Sequence, residues 1–133
     1  MTSGRQTGGA IALVIPAAGS GSRFGGGRPK QFIDLDGQPV LARTLAAFAG
    51  LVDRGWLAVN PEWHDEVAKI AAAAPFPCVV VGGGATRQAS VFAALAAVDD
   101  GCDRVLVHDA VRPLVPRRCI SDCLDALKTS AGA

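Results

Sequence analysis

What this chain has little of narrows its function before any motif is read. Charge is scarce and balanced: 19% of its 133 residues are charged and the formal net charge is +1. That leaves no electrostatic footprint for nucleic acid, so any anion must be met by local groups. No run approaches the ~20 apolar residues of a membrane helix, which argues against a membrane partner. The four cysteines, Cys78, Cys102, Cys119 and Cys123, form no CxxC, and neither His64 nor His108 stands at metal-ligand spacing from them. They read as packed thiols of a reduced, cytoplasmic protein, with Cys119 and Cys123 on one helix face. The stretch from Arg5 to Ala18 has the outline of a secretory leader, yet its apolar part, AIALVI, is too short and runs into glycine. No Ser-His-Asp or Cys-His pairing supports covalent hydrolysis. Trp56 and Trp63 lack the basic interleaving that base stacking requires, and His64 reads as a solvated residue at a polar helix start. Internal repeats and low-complexity tracts are absent.

What is present is the pattern of one α/β domain, long enough to bury roughly two-thirds of the surface its unfolded chain exposes. Ala10 to Ile15 is a short apolar run closed by proline, as expected of a strand buried on both faces. Phe32, Ile33 and Leu35 suggest an extended piece turned at Gly37, and Pro39 opens a helix to about residue 50 with Leu41, Leu45 and Phe48 at helical spacing. Strands are expected over 55–59, 77–81 and 104–108. Helices are expected over 61–73, 86–98 (Val91 and Leu95 inward) and 116–127 (Ile120, Leu124 and Leu127 inward). Strand and helix alternate throughout, which predicts an open, mostly parallel sheet with helices on both faces. Residues 10–127 form the domain in this reading, and residues 1–9 and 128–133 are flexible ends.

In such sheets ligands bind beyond the carboxyl ends of the strands. Three unusual segments fall at such ends: PAAGSGSRFGGGRPKQF after the first strand, GGGATRQAS after the third and HDAVRP after the fourth. Gly19 and Gly21 allow positive φ and close approach of backbone N–H groups to an anion. The loop is not a Walker A loop, which needs GxxxxGK[ST], nor a dinucleotide fingerprint, because Phe24 stands where the last glycine of GxGxxG belongs. Arg23 and Lys30 supply a planar fork and a compact charge for a chain of phosphates. Gly83 and Gly84 bring backbone close a second time, with Arg87 and Ser90 on the first turn of the next helix. Ser90 is either a hydroxyl for a base edge or ribose, or an inward-facing small residue. Asp109 suits a Mg²⁺ ion that also holds phosphate oxygens, and Arg112 could hold a second anion or pair with Asp109. Asp34, Asp36, Asp99, Asp100 and Asp103 read as turn carboxylates.

Taken together, AAGxGxRxxxxxPKQ, GGxxRxxSV and HDAxRP resemble the 2-C-methyl-D-erythritol 4-phosphate cytidylyltransferase family of the non-mevalonate isoprenoid pathway, over about Ala10 to Leu127. The resemblance implies a Rossmann-like nucleotidyltransferase that joins CTP to methylerythritol phosphate and releases pyrophosphate. It implies that Arg23 and Lys30 stabilise the transition state at the α-phosphate and that Ala17, Ala18, Gly19 and Gly21 line the nucleotide site. Gly83, Gly84, Arg87 and Ser90 would complete that site, with Gly84 and Ser90 on the cytosine. Asp109 would bind Mg²⁺ or another divalent cation, and Arg112 would face the polyol phosphate. Family members are longer and form homodimers through an arm that this chain does not contain. The chain is therefore expected to be an incomplete or separately encoded nucleotide-binding half, binding CTP and catalysing poorly alone. A ribitol or other polyol-phosphate cytidylyltransferase shares the PKQF and HDAVRP signatures, and a non-catalytic CTP-binding module is the alternative outside enzymes. The resemblance sets one rate expectation: Lys30→Ala lowers turnover on the order of 10²- to 10³-fold in a pyrophosphate-release assay, and near-wild-type turnover would remove Lys30 from the transition state.

Overall fold

The computed structural model describes residues 9–18, 23–24 and 28–128, and only the backbone of Arg23, Phe24, Arg28 and Lys30. In chain order its elements are β1 (Ala10–Ala17), β2 (Arg23–Phe24), β3 (Arg28–Pro29), a 3₁₀ turn (Lys30–Phe32), β4 (Asp34–Leu35), β5 (Gln38–Pro39) and α1 (Val40–Ala46). There follow β6 (Arg54–Val59), a 3₁₀ turn (Pro61–Trp63), α2 (His64–Ala72), β7 (Cys78–Gly82), α3 (Arg87–Ala97), β8 (Cys102–Val107) and α4 (Arg117–Ala126). Among the described residues, the four long strands form a parallel sheet in the order β7-β6-β1-β8. The chain winds outward from β1 to β6 and β7, then crosses back to place β8 on the other side of β1. The strand order reverses between β1 and β8, and that is where a Rossmann-like sheet opens its ligand crevice.

Burial follows from the period of two along each strand. Ile11, Leu13, Ile15 and Ala17 join Leu57 and Val59 beneath Leu41 and Leu45 of α1, Val67 and Ala71 of α2, and Ile120 and Leu124 of α4. Ala12 and Val14 face the other way and pack with Trp56, Ala58 and Ala94 of α3. Helices cover both faces, as the alternation of elements required, but unequally.

Several boundaries differ from the sequence reading for identifiable reasons. β1 runs through Pro16 to Ala17. It pairs with β6 as far as Ala17 but with β8 only as far as Val14. The His108 amide donates to Val14 O, so even-numbered residues of β1 turn their backbone polar groups toward β8, and the N–H that Pro16 lacks falls where β8 no longer runs. α1 is shorter than expected because Pro39 is paired within β5 and the helix unwinds after Ala46 toward Gly50, at φ +78°. Phe48 is nonetheless buried. The start of the expected 61–73 helix is a 3₁₀ turn. Phe32 also belongs to a 3₁₀ turn, where its ring stacks on Trp63 with centroids 4.8 Å apart. On α3 the buried residues are Ser90 and Ala94, while Leu95 is exposed. The helix thus meets Ala12, Val14, Trp56 and Ala58 through its small residues and turns Leu95 outward.

The hairpin β4–β5 turns through Asp36 and Gly37, both with positive φ (54° and 88°), the geometry of a type I′ turn. Arg43 of α1 fastens that turn by donating to the carbonyls of Leu35 and Asp36. All four cysteines are free. Cys119 is exposed rather than packed, whereas burial pushes the Cys78 thiol up to about 11.

Phe32 closes the glycine-rich segment onto the core with 1% of its surface exposed. Phe32→Ala is expected to cost about 3–5 kcal/mol of unfolding free energy in a urea melt.

Candidate functional site at the carboxyl ends of the strands

The three unusual segments meet. β1 ends in Ala17 and is followed by Ala18, both buried, and the Gln31 side-chain amide donates to Ala17 O at 2.8 Å, so the residue after Lys30 is fastened to the end of the central strand. β7 ends in Gly82, and the following Gly83 donates its N–H to Val59 O at 2.7 Å. A methyl group added at Gly83 would collide with the Cβ of Ala18 and lie 3.0 Å from Ser90 Oγ, so glycine here permits contact between the first and second motif. Thr86 caps α3 by accepting the Ala89 N–H at 3.0 Å. Ser90 is 1% exposed, and its hydroxyl oxygen accepts the Gly84 N–H at 3.1 Å. Ser90 therefore faces inward, and its hydroxyl meets the glycine backbone.

β8 delivers the third segment. Asp109 Oδ1 accepts from Arg87 Nη2 at 2.8 Å and Nε at 3.2 Å, and its Oδ2 accepts from Arg112 Nε at 2.9 Å. Both guanidiniums are largely exposed, while the carboxylate between them is 33% exposed. The bonds from Arg112 and then Arg87 hold the Asp109 carboxyl below the ordinary aspartate value against a smaller opposing effect of burial. His108 Nε2 lies 3.0 Å from Arg112 O, and its ring meets Phe48 edge-on at 5.0 Å. Thr44 of α1 donates from Oγ1 to Ala110 O at 2.8 Å.

The structure thus gathers Ala17, Ala18, Gly83, Gly84, Arg87, Ser90, Asp109 and Arg112 at the carboxyl end of the sheet. Gly19 and Gly21 lie outside the described residues. For Arg23 and Lys30 the backbone is given: Arg23 pairs with Pro29 across β2 and β3, and Lys30 follows that partner directly. Gln31 and Thr44 have site-fastening roles that the sequence reading did not assign. Gln31 lay inside the quoted PKQ motif, and Thr44 is a polar residue in register with Leu41, Leu45 and Phe48.

Among the described residues no cluster of three or more His, Cys, Asp or Glu could hold a metal ion. Asp109 offers one carboxylate, with both oxygens engaged by arginine. This donor set fits a divalent cation that arrives with phosphate oxygens as its other ligands, and does not fit an all-protein cage. Among the described residues no helix is long and apolar enough to cross a membrane.

Comparison with known proteins places these features. Residues 11–133 match the family model of IspD, 2-C-methyl-D-erythritol 4-phosphate cytidylyltransferase. A 2-C-methyl-D-erythritol 4-phosphate cytidylyltransferase of Cereibacter sphaeroides is 46% identical over 125 residues, covering 92% of this chain and 56% of the relative. A solved 4-diphosphocytidyl-2C-methyl-D-erythritol synthase from Anaerococcus prevotii superposes with a TM-score of 0.79 at 28% identity, over 93% of this chain and 53% of that one. The Rv0371c protein of Mycobacterium tuberculosis, solved in complex with manganese, matches with a TM-score of 0.64 at 27% identity, over 90% of this chain and 60% of that one. The chain spans about half the length of these relatives.

The ion triad has a measurable signature. A depressed folded-state value means that the Asp109 pairs stabilise the fold above the unfolded-state value and are lost as pH falls through the folded one. A carbon-detected titration of Asp109 is expected to give a midpoint below the ordinary aspartate value, and Arg112→Ala should raise it more than Arg87→Ala does.

Proposed function

This chain belongs to the 2-C-methyl-D-erythritol 4-phosphate cytidylyltransferase family, and from that premise we propose that its strand-end site binds CTP and serves transfer of CMP to a polyol phosphate, 2-C-methyl-D-erythritol 4-phosphate, with release of pyrophosphate. The observation that carries the proposal is the meeting of three chemically distinct segments at the switch point: bare backbone at Ala18, Gly83 and Gly84, and the Arg87–Asp109–Arg112 triad beside it.

Each residue has a part in that reaction. Ala17, Ala18, Gly83 and Gly84 present backbone and small side chains to the nucleoside, and Gly19 and Gly21 are assigned to the same nucleotide. Ser90 acts by holding Gly84. A phosphate oxygen of the polyol phosphate attacks the α-phosphorus of CTP in line; the new P–O bond forms as the bond to the β-phosphate bridge breaks, and pyrophosphate leaves. Charge on the equatorial oxygens rises during this step, and Arg23 and Lys30 are the cations that spread it. Arg112 holds the phosphate of the attacking polyol. Asp109 would hold a divalent cation, Mg²⁺ in our reading, and such an ion, when bound, neutralises phosphate charge and aligns the leaving group. The manganese complex of the Rv0371c relative supports a divalent cation in this lineage. Four free cysteines are consistent with a reducing cytoplasm.

Pyrophosphate release by the 133-residue chain, with CTP, Mg²⁺ and either methylerythritol 4-phosphate or ribitol 5-phosphate, tests the proposal. Slow release with the first substrate is expected, in keeping with a chain that spans about half the length of its relatives, and release with only the second would reassign the acceptor. CTP binding without release from any acceptor would make the chain a nucleotide-binding module. Arg112→Ala is expected to raise the KM for the polyol phosphate about 10- to 100-fold while changing CTP binding little, the value of one hydrogen bond to a charged group.

A further inference from the structure

The HDAVR loop is fastened by a residue that belongs to none of the three motifs. Thr44 lies on α1 between Leu41 and Leu45 and is 0% exposed. Its Oγ1 stands 2.8 Å from Ala110 O, across 66 positions of sequence, and 3.1 Å from Val40 O, one helical turn back. A hydroxyl has one proton to give. The return to Val40 is the ordinary habit of a helical threonine, whereas the shorter bond leaves the helix altogether. Ala110 is itself buried, at 6% exposure, so its carbonyl has a protein partner in place of water. It sits between Asp109, the residue proposed to meet the cation, and Arg112, the residue proposed to meet the polyol phosphate. The ends of the loop are drawn together by the contact of His108 Nε2 with Arg112 O, and Thr44 ties its middle to the core.

We infer that Thr44 is a positioning residue for the Asp109–Arg112 pair: its buried hydroxyl fixes the peptide that sets where the carboxylate and guanidinium stand. This rests on the nucleotide-transfer reading of the site. Loss of the hydroxyl leaves a buried carbonyl without its partner, and that peptide can recover one only by turning, which moves the two flanking side chains.

The test compares Thr44→Val, which keeps the shape and loses the hydroxyl, with Thr44→Ser, which keeps the hydroxyl and loses a methyl group. Calorimetry on the full chain reads CTP affinity with and without Mn²⁺. The wild type is expected to bind CTP more tightly with Mn²⁺. Thr44→Val should weaken the Mn²⁺-dependent affinity about tenfold, the worth of one hydrogen bond, and leave metal-free CTP binding unchanged. Thr44→Ser should behave as wild type. A purely packing role gives the reverse order, and that order, or a Val variant equal to wild type, overturns the inference. If Thr44→Val does not fold, Thr44→Ser against Thr44→Ala isolates the hydroxyl, and equality of the two overturns it. A wild-type chain that binds no CTP sinks the nucleotide reading instead. The tether is then decided by amide exchange over residues 108–112, expected to be faster in Thr44→Val with β1 unchanged; equal exchange overturns it.

Discussion

The fold and its candidate site both depend on one asymmetry of β1: the central strand is longer on its β6 side than on its β8 side. Pairing with β6 continues to Ala17, whereas pairing with β8 stops at Val14. Pro16 suits this arrangement because it has no N–H to offer on the flank where no strand remains to accept one. Beyond Val14 the chains diverge, with β1 carrying on to Ala18 while β8 breaks into the HDAVR loop. The gap they leave is the switch point of the sheet. Gly83, just past β7, meets Ala18 too closely for any side chain. A proline within an apolar strand is therefore part of what opens the site.

The walls of that opening are held by side chains bonded to backbone. Gln31 holds the carbonyl of Ala17, Ser90 the amide of Gly84 and Thr44 the carbonyl of Ala110. All three side chains are buried, and they are the buried polar residues of the core among those described. Each ties one of the three motif segments to a packed element, so loops that carry exposed chemistry inherit the rigidity of the interior. Burial and function are divided between neighbours: the anchors are out of solvent, and Arg87 and Arg112 reach into it.

This division explains what could be read in the sequence and what could not. The order of strands and helices, the parallel sheet and the placement of the odd segments at carboxyl ends follow from apolar periodicity and from glycine, which are local signals. Ile120 and Leu124 on α4 were recoverable in the same way. Leu95 was misplaced because helical spacing identifies an apolar stripe but not which of its members meet the sheet, and here Ser90 and Ala94 do. Pro16 was read as an end because pairing on one side alone cannot be seen from a single strand. Among the site residues, Asp109 and the arginines announce themselves by charge. The anchors do not, because a hydroxyl at helical spacing with leucines carries no mark of the carbonyl 66 residues away that it meets.

The Arg87–Asp109–Arg112 triad also limits what kind of anion the site suits. The chain carries almost no net charge, so attraction must come from local groups, and in this cluster two guanidiniums outweigh one carboxylate by a single positive charge. An incoming anion competes with Asp109 for the same donors. A simple carboxylate brings one charge and fork-shaped acceptors, which is what Asp109 already supplies from a fixed position, so exchange gains little. A polyphosphate brings several charges and more oxygens than the two arginines can satisfy, and it can carry a divalent cation to the carboxylate it displaces. In the proposed reading the exchange leaves every charged group with a partner, Arg87 on the nucleotide phosphates, Arg112 on the polyol phosphate and Asp109 on the cation. Charge balance thus favours a polyphosphate with its metal over a monoanion, in agreement with the nucleotide proposed for the site.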